Sequence, residues 1–182
     1  MLAVRKKGVS QAVTQAQPRL GFQRPDNFEH EHEPDCARGR ALAYSFMVNI
    51  SIEYTGDLHC DATHGPSQSK LATDAPTDNK GKGEAFSPTD LVATALGTCM
   101  STIMGMKAQE LGLDLRGMSV SVQKEMSKDA PRRIIALPSE VHIPLPKDSP
   151  HRQALEKAAL NCPVHKSLPP EIQRPTKFFW EG

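Results

Sequence analysis

The stretch Ser87-Pro88-Thr89-Asp90-Leu91-Val92-Ala93-Thr94-Ala95-Leu96-Gly97-Thr98-Cys99-Met100 decides how the rest of the chain is read. Ser87 is suited to accept from the first free N–H groups of a helix. Pro88 fits the first helical position, where its missing N–H costs nothing, and Asp90 stands where a capping-box acid belongs. Apolar residues then recur at helical spacing through Leu91, Val92, Ala95, Leu96, Cys99, Met100, Ile103 and Met104. Charge returns only at Lys107 and Glu110, and Gly112 supplies the stop. The spacing predicts a helix of about 24 residues, apolar nearly all round and so covered by other elements. Its uncharged part, Leu91 to Met106, is 16 residues long and holds Thr94, Thr98, Ser101 and Thr102. That is short of the roughly 20 residues that cross a bilayer, so the helix reads as a core element and no membrane partner is expected.

Outward from the helix the pattern changes to strands. Met47 to Tyr54 alternates through Val48, Ile50 and Ile52, Gly56-Asp57 reads as a turn, and Leu58 to Thr63 as the returning strand. A short third strand falls near Lys70 to Thr73, and Asp74 to Phe86 is a polar loop of functional length. Beyond the helix, Met118 to Met126 and Arg132 to Ile143 read as strands that pair across Ser127 to Pro131. His151 to Asn161 is a helix with Ala154, Leu155, Ala158 and Ala159 inward, and Ile172 to Trp180 is a closing strand. Strands, helix, strands, helix, strand, with no regular alternation, is the order of an α+β fold rather than a doubly wound sheet.

The chain has 182 residues, 38% hydrophobic, and a formal net charge of +1 with both signs intermixed. Such a chain forms one domain with a real core and offers no field for a nucleic-acid backbone. Residues 1–46 differ in kind, with Arg5, Lys6 and Lys7 first, no acid before Asp26, and then Glu29-His30-Glu31-His32-Glu33-Pro34-Asp35-Cys36. They read as a disordered tail or a mis-assigned start, with the domain proper at 47–182. An organelle-targeting reading has only a weak amphipathic pattern behind it. His30, His32 and Cys36 fall short of a closed metal site, and His64, His142 and His165 are scattered, so neither a metal nor a cofactor is expected. Four cysteines do not make a disulfide scaffold, which favours a reducing cytoplasm.

Two of those cysteines stand out. Cys99 lies in the middle of the long helix, and Cys162 opens Cys162-Pro163-Val164-His165-Lys166-Ser167-Leu168. The competing reading is that both are inert core thiols, since cysteine is among the most buried residue types. Pro163 suits the first position of a short helix, which puts the Cys162 sulfur at its N-cap and makes Cys162 the more acidic thiol on local grounds. Cys99 sits about three turns into its helix, past the reach of the dipole, and Lys107 is about 12 Å further on at 1.5 Å per residue. Cys60, beside His59, reads as a packed residue. Met100, Met104, Met106 and Met118 fill an irregular core more readily than they line a pocket.

The quoted helix motif, followed by Asn161-Cys162-Pro163-Val164-His165-Lys166-Ser167-Leu168, resembles the OsmC/Ohr family of osmotically inducible and organic hydroperoxide resistance proteins, over nearly all of residues 47–180. The resemblance implies an intertwined dimer: two long central helices wrapped by antiparallel strands from both chains, with active sites at the subunit interface. It implies that Cys99 attacks a hydroperoxide, that Cys162 resolves it, and that a lipoyl protein or another dithiol reduces the pair. It also implies an arginine–glutamate pair that activates the thiol, and here the chain departs from the pattern. Thr89 takes the glutamate position with Asp90 beside it, and no arginine lies between Arg40 and Arg116. Replacement cations are His59, Lys80, Lys82, Arg132 and Arg133, and replacement acids are Glu84 and Asp90. The rival readings are a non-enzymatic stress protein binding a small apolar ligand at the dimer interface, and a single-thiol sensor or acyl-transfer protein.

Overall fold

A computed structural model describes residues 47–182, and the expectations for the tail, its histidines and Cys36 fall outside the described residues. A first antiparallel sheet is built from β1 (Ile50–Gly56), β2 (His59–His64) and β3 (Lys70–Asp74) in that order. The β1–β2 turn sits one residue later than the sequence indicates. Asp57 and Leu58 both take positive φ (49° and 67°), the twist-matched geometry of a two-residue hairpin. The long helix α1 (Pro88–Glu110) follows, then β4 (Ser119–Val122), β5 (Glu125–Met126), β6 (Ile134–Ala136) and β7 (Ser139–Ile143). Helices α2 (Arg152–Leu160) and α3 (Pro163–Ser167) precede β8 (Thr176–Trp180).

The two long strands expected at 118–126 and 132–143 do pair, but each is broken in two. β4 pairs with β7 and β5 with β6, both antiparallel, while β8 adds to β7 in parallel. Pro138, which has no N–H for a ladder, interrupts one strand, and opposite it Gln123 N–H donates to the Pro138 carbonyl at 2.9 Å. Lys124 leaves the ladder at this break.

Helix α1 starts as its sequence dictates. Ser87 Oγ accepts from Asp90 N–H at 3.2 Å, and Asp90 Oδ2 accepts from Ser87 N–H at 2.8 Å, a reciprocal capping box. It ends in a Schellman motif: Leu113 N–H reaches the Ala108 carbonyl (2.9 Å), Gly112 N–H the Gln109 carbonyl (3.2 Å), and Gly112 takes φ +67°. Among the described residues α1 is the one helix long and apolar enough to cross a membrane by length and composition. Here it is a core helix, with Leu96, Met100, Met104 and Ala108 packed with Leu137, Val141, Ile143, Leu155, Ala159 and Trp180. Each fully buried Leu, Met or Ile side chain contributes about 1.5–3 kcal/mol. Met100 and Met104 are wholly inside this cluster, so they serve the core and line no pocket.

One expectation changes. Within a single chain α1 is covered on one face only: Thr94, Thr98 and Thr102 are exposed, their hydroxyls turned back to the carbonyls of Asp90, Thr94 and Thr98. The β1–β3 sheet is barer still. Ile50, Ile52 and Tyr54 of β1 are 54%, 66% and 63% exposed, although their alternation marks them for burial.

Removing the cap acceptor with Ser87→Ala is expected to cost about 1 kcal/mol, read as a lower urea midpoint, whereas Ser87→Thr stays close to the parent. Burial raises the Asp90 carboxyl, but hydrogen bonds from Lys124 and Ser87 together hold it below its ordinary value of 3.8. Its contribution to stability is therefore present above pH 4 and lost as pH falls through the lowered folded value. Urea midpoints between pH 6 and 3 should fall less steeply in Asp90→Asn than in the parent, and equal slopes would contradict the assignment.

Candidate active site

Cys99 lies in the fourth turn of α1, half-buried, on the flank where α3 packs. Cys162 is the N-cap of α3, with extended backbone (φ −61°, ψ 146°), Pro163 at the first helical position, and a Sγ that accepts the His165 N–H at 3.3 Å. The cap geometry is as the sequence indicates. Its electrostatic consequence is the reverse of that expectation. Cys162 is fully buried, and burial pushes its thiol above the ordinary value of 9.0, outweighing the downward pull of the His165 N–H; the neighbouring Cys99 raises it further. A thiolate there would exchange its water shell for aliphatic neighbours, and two N–H dipoles do not compensate. Two thiols 63 positions apart in sequence are thus brought close together.

His165, three residues beyond Cys162, is kept neutral at pH 7: burial first, then the charges of Arg174 and Lys166, lower its imidazole below 6.5. Cys60, the third described cysteine, stands apart on β2 opposite Tyr54 and Thr73.

Three of the five replacement cations have side-chain partners of their own within the chain. Arg132 pairs with Asp78 at 2.8 Å and Arg133 with Asp129 at 3.1 Å. Lys80 closes a short 3-10 turn, Thr77–Asn79, in a left-handed conformation, and Lys82 gives its backbone N–H to Asp74. His59 lies 3.3 Å from Glu84 Oε2 and 3.7 Å from Asp74 Oδ1. Among the described residues no side-chain cation hydrogen-bonds either Cys99 or Cys162.

A residue that the sequence reading passed over holds the start of α1. Lys124 Nζ reaches Asp90 Oδ1 at 2.5 Å, Thr89 Oγ1 at 3.0 Å and Ser87 Oγ at 3.4 Å. The first turn of α1 thus carries an ion pair between Lys124 and Asp90. The signal was present: Lys124 has the same strand parity as Met118, Val120, Val122 and Met126, an inward position for a lysine.

An open groove of about 990 Å³ runs along the other flank of α1. It is lined by Phe86, Ala93, Gly97, Ser101, Val120 and Val122, with Glu84, Asp90 and Lys124 at its polar end, and Cys99 is not part of its wall.

The family model for OsmC-like proteins matches residues 81–174, a span that holds α1, both candidate thiols and Lys124. Solved structures agree. A Psychrobacter arcticus protein named for an osmotic stress induced and detoxification response is 40% identical, covering 75% of this chain and 99% of its own, with a TM-score of 0.69. An organic hydroperoxide resistance protein OsmC from Legionella pneumophila is 14% identical over 74% of this chain and 98% of its own (TM-score 0.61). A Vibrio cholerae protein of the organic hydroperoxide resistance type, with captopril bound in one of its active sites, is 18% identical over 78% and 96% (TM-score 0.61). The last two share the fold. No curated protein matches the chain. The matched span and the 40% identical structure, covered almost end to end, together establish that the chain belongs to the OsmC-like protein family.

Proposed function

We propose that the protein reduces organic hydroperoxides with Cys99 and Cys162 in a two-thiol cycle, as part of oxidative stress defence in the cytoplasm. Family membership points to a stress or hydroperoxide-resistance role. The observation that carries the finer reading is the contact between two free thiols, one of them capping a helix.

The raised Cys162 keeps its proton, which suits it to the resolving step rather than the first attack. The Cys99 thiolate attacks the terminal oxygen of ROOH; the O–O bond breaks and RO⁻ leaves, taking up a proton as ROH. Cys99 is now a sulfenic acid. Cys162 then attacks that sulfur, its proton leaving with the displaced hydroxide as water, and the disulfide forms. A dithiol such as a lipoyl protein restores both thiols by exchange, becoming oxidised itself. Among the described residues no side-chain cation hydrogen-bonds either sulfur, and a second subunit is one source of the activating group.

A homodimer accounts for the bare surfaces. The exposed face of α1 and the apolar residues of β1 belong to elements that rarely stand in water uncovered, since a small sheet needs a packed face for stability. Residues 47–182 form the working domain of this proposal.

The groove favours one second reading, a stress protein that binds a small apolar molecule without chemistry. About 990 Å³ of partly apolar wall is large enough for a fatty or aromatic ligand, and the family's arginine has no counterpart between Arg40 and Arg116.

Reduced protein given one equivalent of cumene hydroperoxide should lose two thiols, with peptide mapping locating a Cys99–Cys162 disulfide. Cys162→Ser should stop at a Cys99 sulfenic acid that a dimedone probe traps, and Cys99→Ser should consume no peroxide. Unchanged thiols in the parent protein would abandon the peroxidase for the binding reading. Light scattering at micromolar concentration should give twice the chain mass, and a monomer would remove the dimer from the proposal.

A further inference from the structure

We propose that His59, Asp74 and Glu84 form a binding site for one divalent transition-metal ion, independent of the thiol pair. The three residues come from β2, from the end of β3 and from the loop before α1, and one donor atom from each lies within 4.8 Å of the other two. Their separations in sequence, 15 and 10 residues, follow no metal-binding spacing, which is why the sequence alone gave no sign of them.

Asp74 carries the argument. It is fully buried, and one of its oxygens is saturated: Oδ2 accepts the backbone N–H of Lys82 (3.1 Å) and of Glu84 (3.0 Å). The other, Oδ1, is buried with no hydrogen-bond partner at all, and it lies 3.7 Å from His59 Nε2. A buried carboxylate oxygen left without a partner is costly, and the structure spends a rigid loop on putting it there. That loop folds back so closely that a Cβ on Gly81 would lie 1.7 Å from the Ala75 carbonyl oxygen, and Gly83 takes φ +69°.

The histidine is set up to match. His59 Nδ1 is 2.9 Å from the Asp57 carbonyl, which can only accept, so Nδ1 carries a proton and Nε2 is the nitrogen turned to the two carboxylates. This is the arrangement by which proteins orient a metal-binding imidazole: the far nitrogen donates to a backbone carbonyl. His59 Nε2, Asp74 Oδ1 and Glu84 Oε2 converge. One proton on Nε2 would serve Glu84 at 3.3 Å and leave Asp74 Oδ1, at 3.7 Å, beyond hydrogen-bonding reach. A cation serves all three. Ligands about 2.1 Å from a common ion, at the angles of a tetrahedral or octahedral site, stand roughly 3.0–3.4 Å apart; His59 Nε2 is already 3.3 Å from Glu84 Oε2 and 3.7 Å from Asp74 Oδ1, and a small inward shift closes the set. One imidazole with two carboxylates suits zinc, cobalt, manganese or ferrous iron rather than copper(I) or calcium. Glu84 is 63% exposed and His59 26%, so the ion has a path in and water completes its shell.

The test is a titration of the reduced, chelator-treated full chain with Co²⁺ in excess Mg²⁺, followed by visible absorption. One equivalent should bind, giving d–d bands without the near-ultraviolet band of a cobalt–thiolate bond, which separates this site from the cysteines. His59→Gln and Asp74→Asn should each weaken binding at least tenfold. Glu84→Gln, at an exposed position that does not threaten folding, should weaken it several-fold, and His30→Gln/His32→Gln should leave it unchanged. Absence of binding below millimolar Co²⁺, a thiolate band, or loss confined to the His30/His32 variant would each overturn the proposal, and none of these outcomes bears on peroxide turnover.

Discussion

The arrangement of this molecule depends on how α1 is anchored at its first turn. Ser87 and Asp90 satisfy each other's backbone N–H groups, and Lys124 closes over Asp90, Thr89 and Ser87 from the break between β4 and β5. A helix pinned at its start is pinned along its length: Cys99 follows Pro88 by 11 positions, about 16 Å at 1.5 Å per residue. The lysine also joins the helix to the sheet, so the sulfur's position is referred to two elements at once. The broken strands are part of this device, because a continuous ladder would have kept Lys124 in line with its neighbours.

The two thiols show burial overriding a local favour. A helix N-cap ordinarily stabilises a thiolate, and the cap at Cys162 is well formed. The same residue is wholly inside the core cluster, where losing hydration costs more than the backbone N–H groups return. Such a pair is asymmetric without any charged residue to distinguish its members.

Most of the fold was legible from short-range chemistry. The capping box, the Gly112 stop, the first hairpin and third strand, the pairing of 118–126 with 132–143 and the Pro163 helix start are each decided within a few residues. What escaped depends on distance. The Cys162 environment requires knowing that α1, α2 and α3 close around it. The break at Gln123–Lys124 follows from Pro138 on the facing strand. The faces of α1 and β1 that stand exposed in the single chain carry a real apolar pattern, whose cover does not lie in neighbouring sequence. Lys124 was readable from its parity and was overlooked because the strand was taken as continuous. The comparisons established the family; the partners and the roles of the two thiols rest on the proposals above.

The parallel pairing of β8 with β7 has a bearing on how the protein is made. Parallel neighbours need a long crossover, and here it comprises α2 and α3 and therefore carries Cys162. Trp180 of β8 and Cys162 belong to the same core cluster. During synthesis the segment with Cys162 emerges before the strand that helps enclose it, while Cys99 is already out and its helix lacks partners. For that interval the nascent chain presents two thiols outside the environment that the fold gives them. Oxidants met then can produce unproductive adducts, so the fidelity of this chain's biogenesis is tied to the redox state around the ribosome.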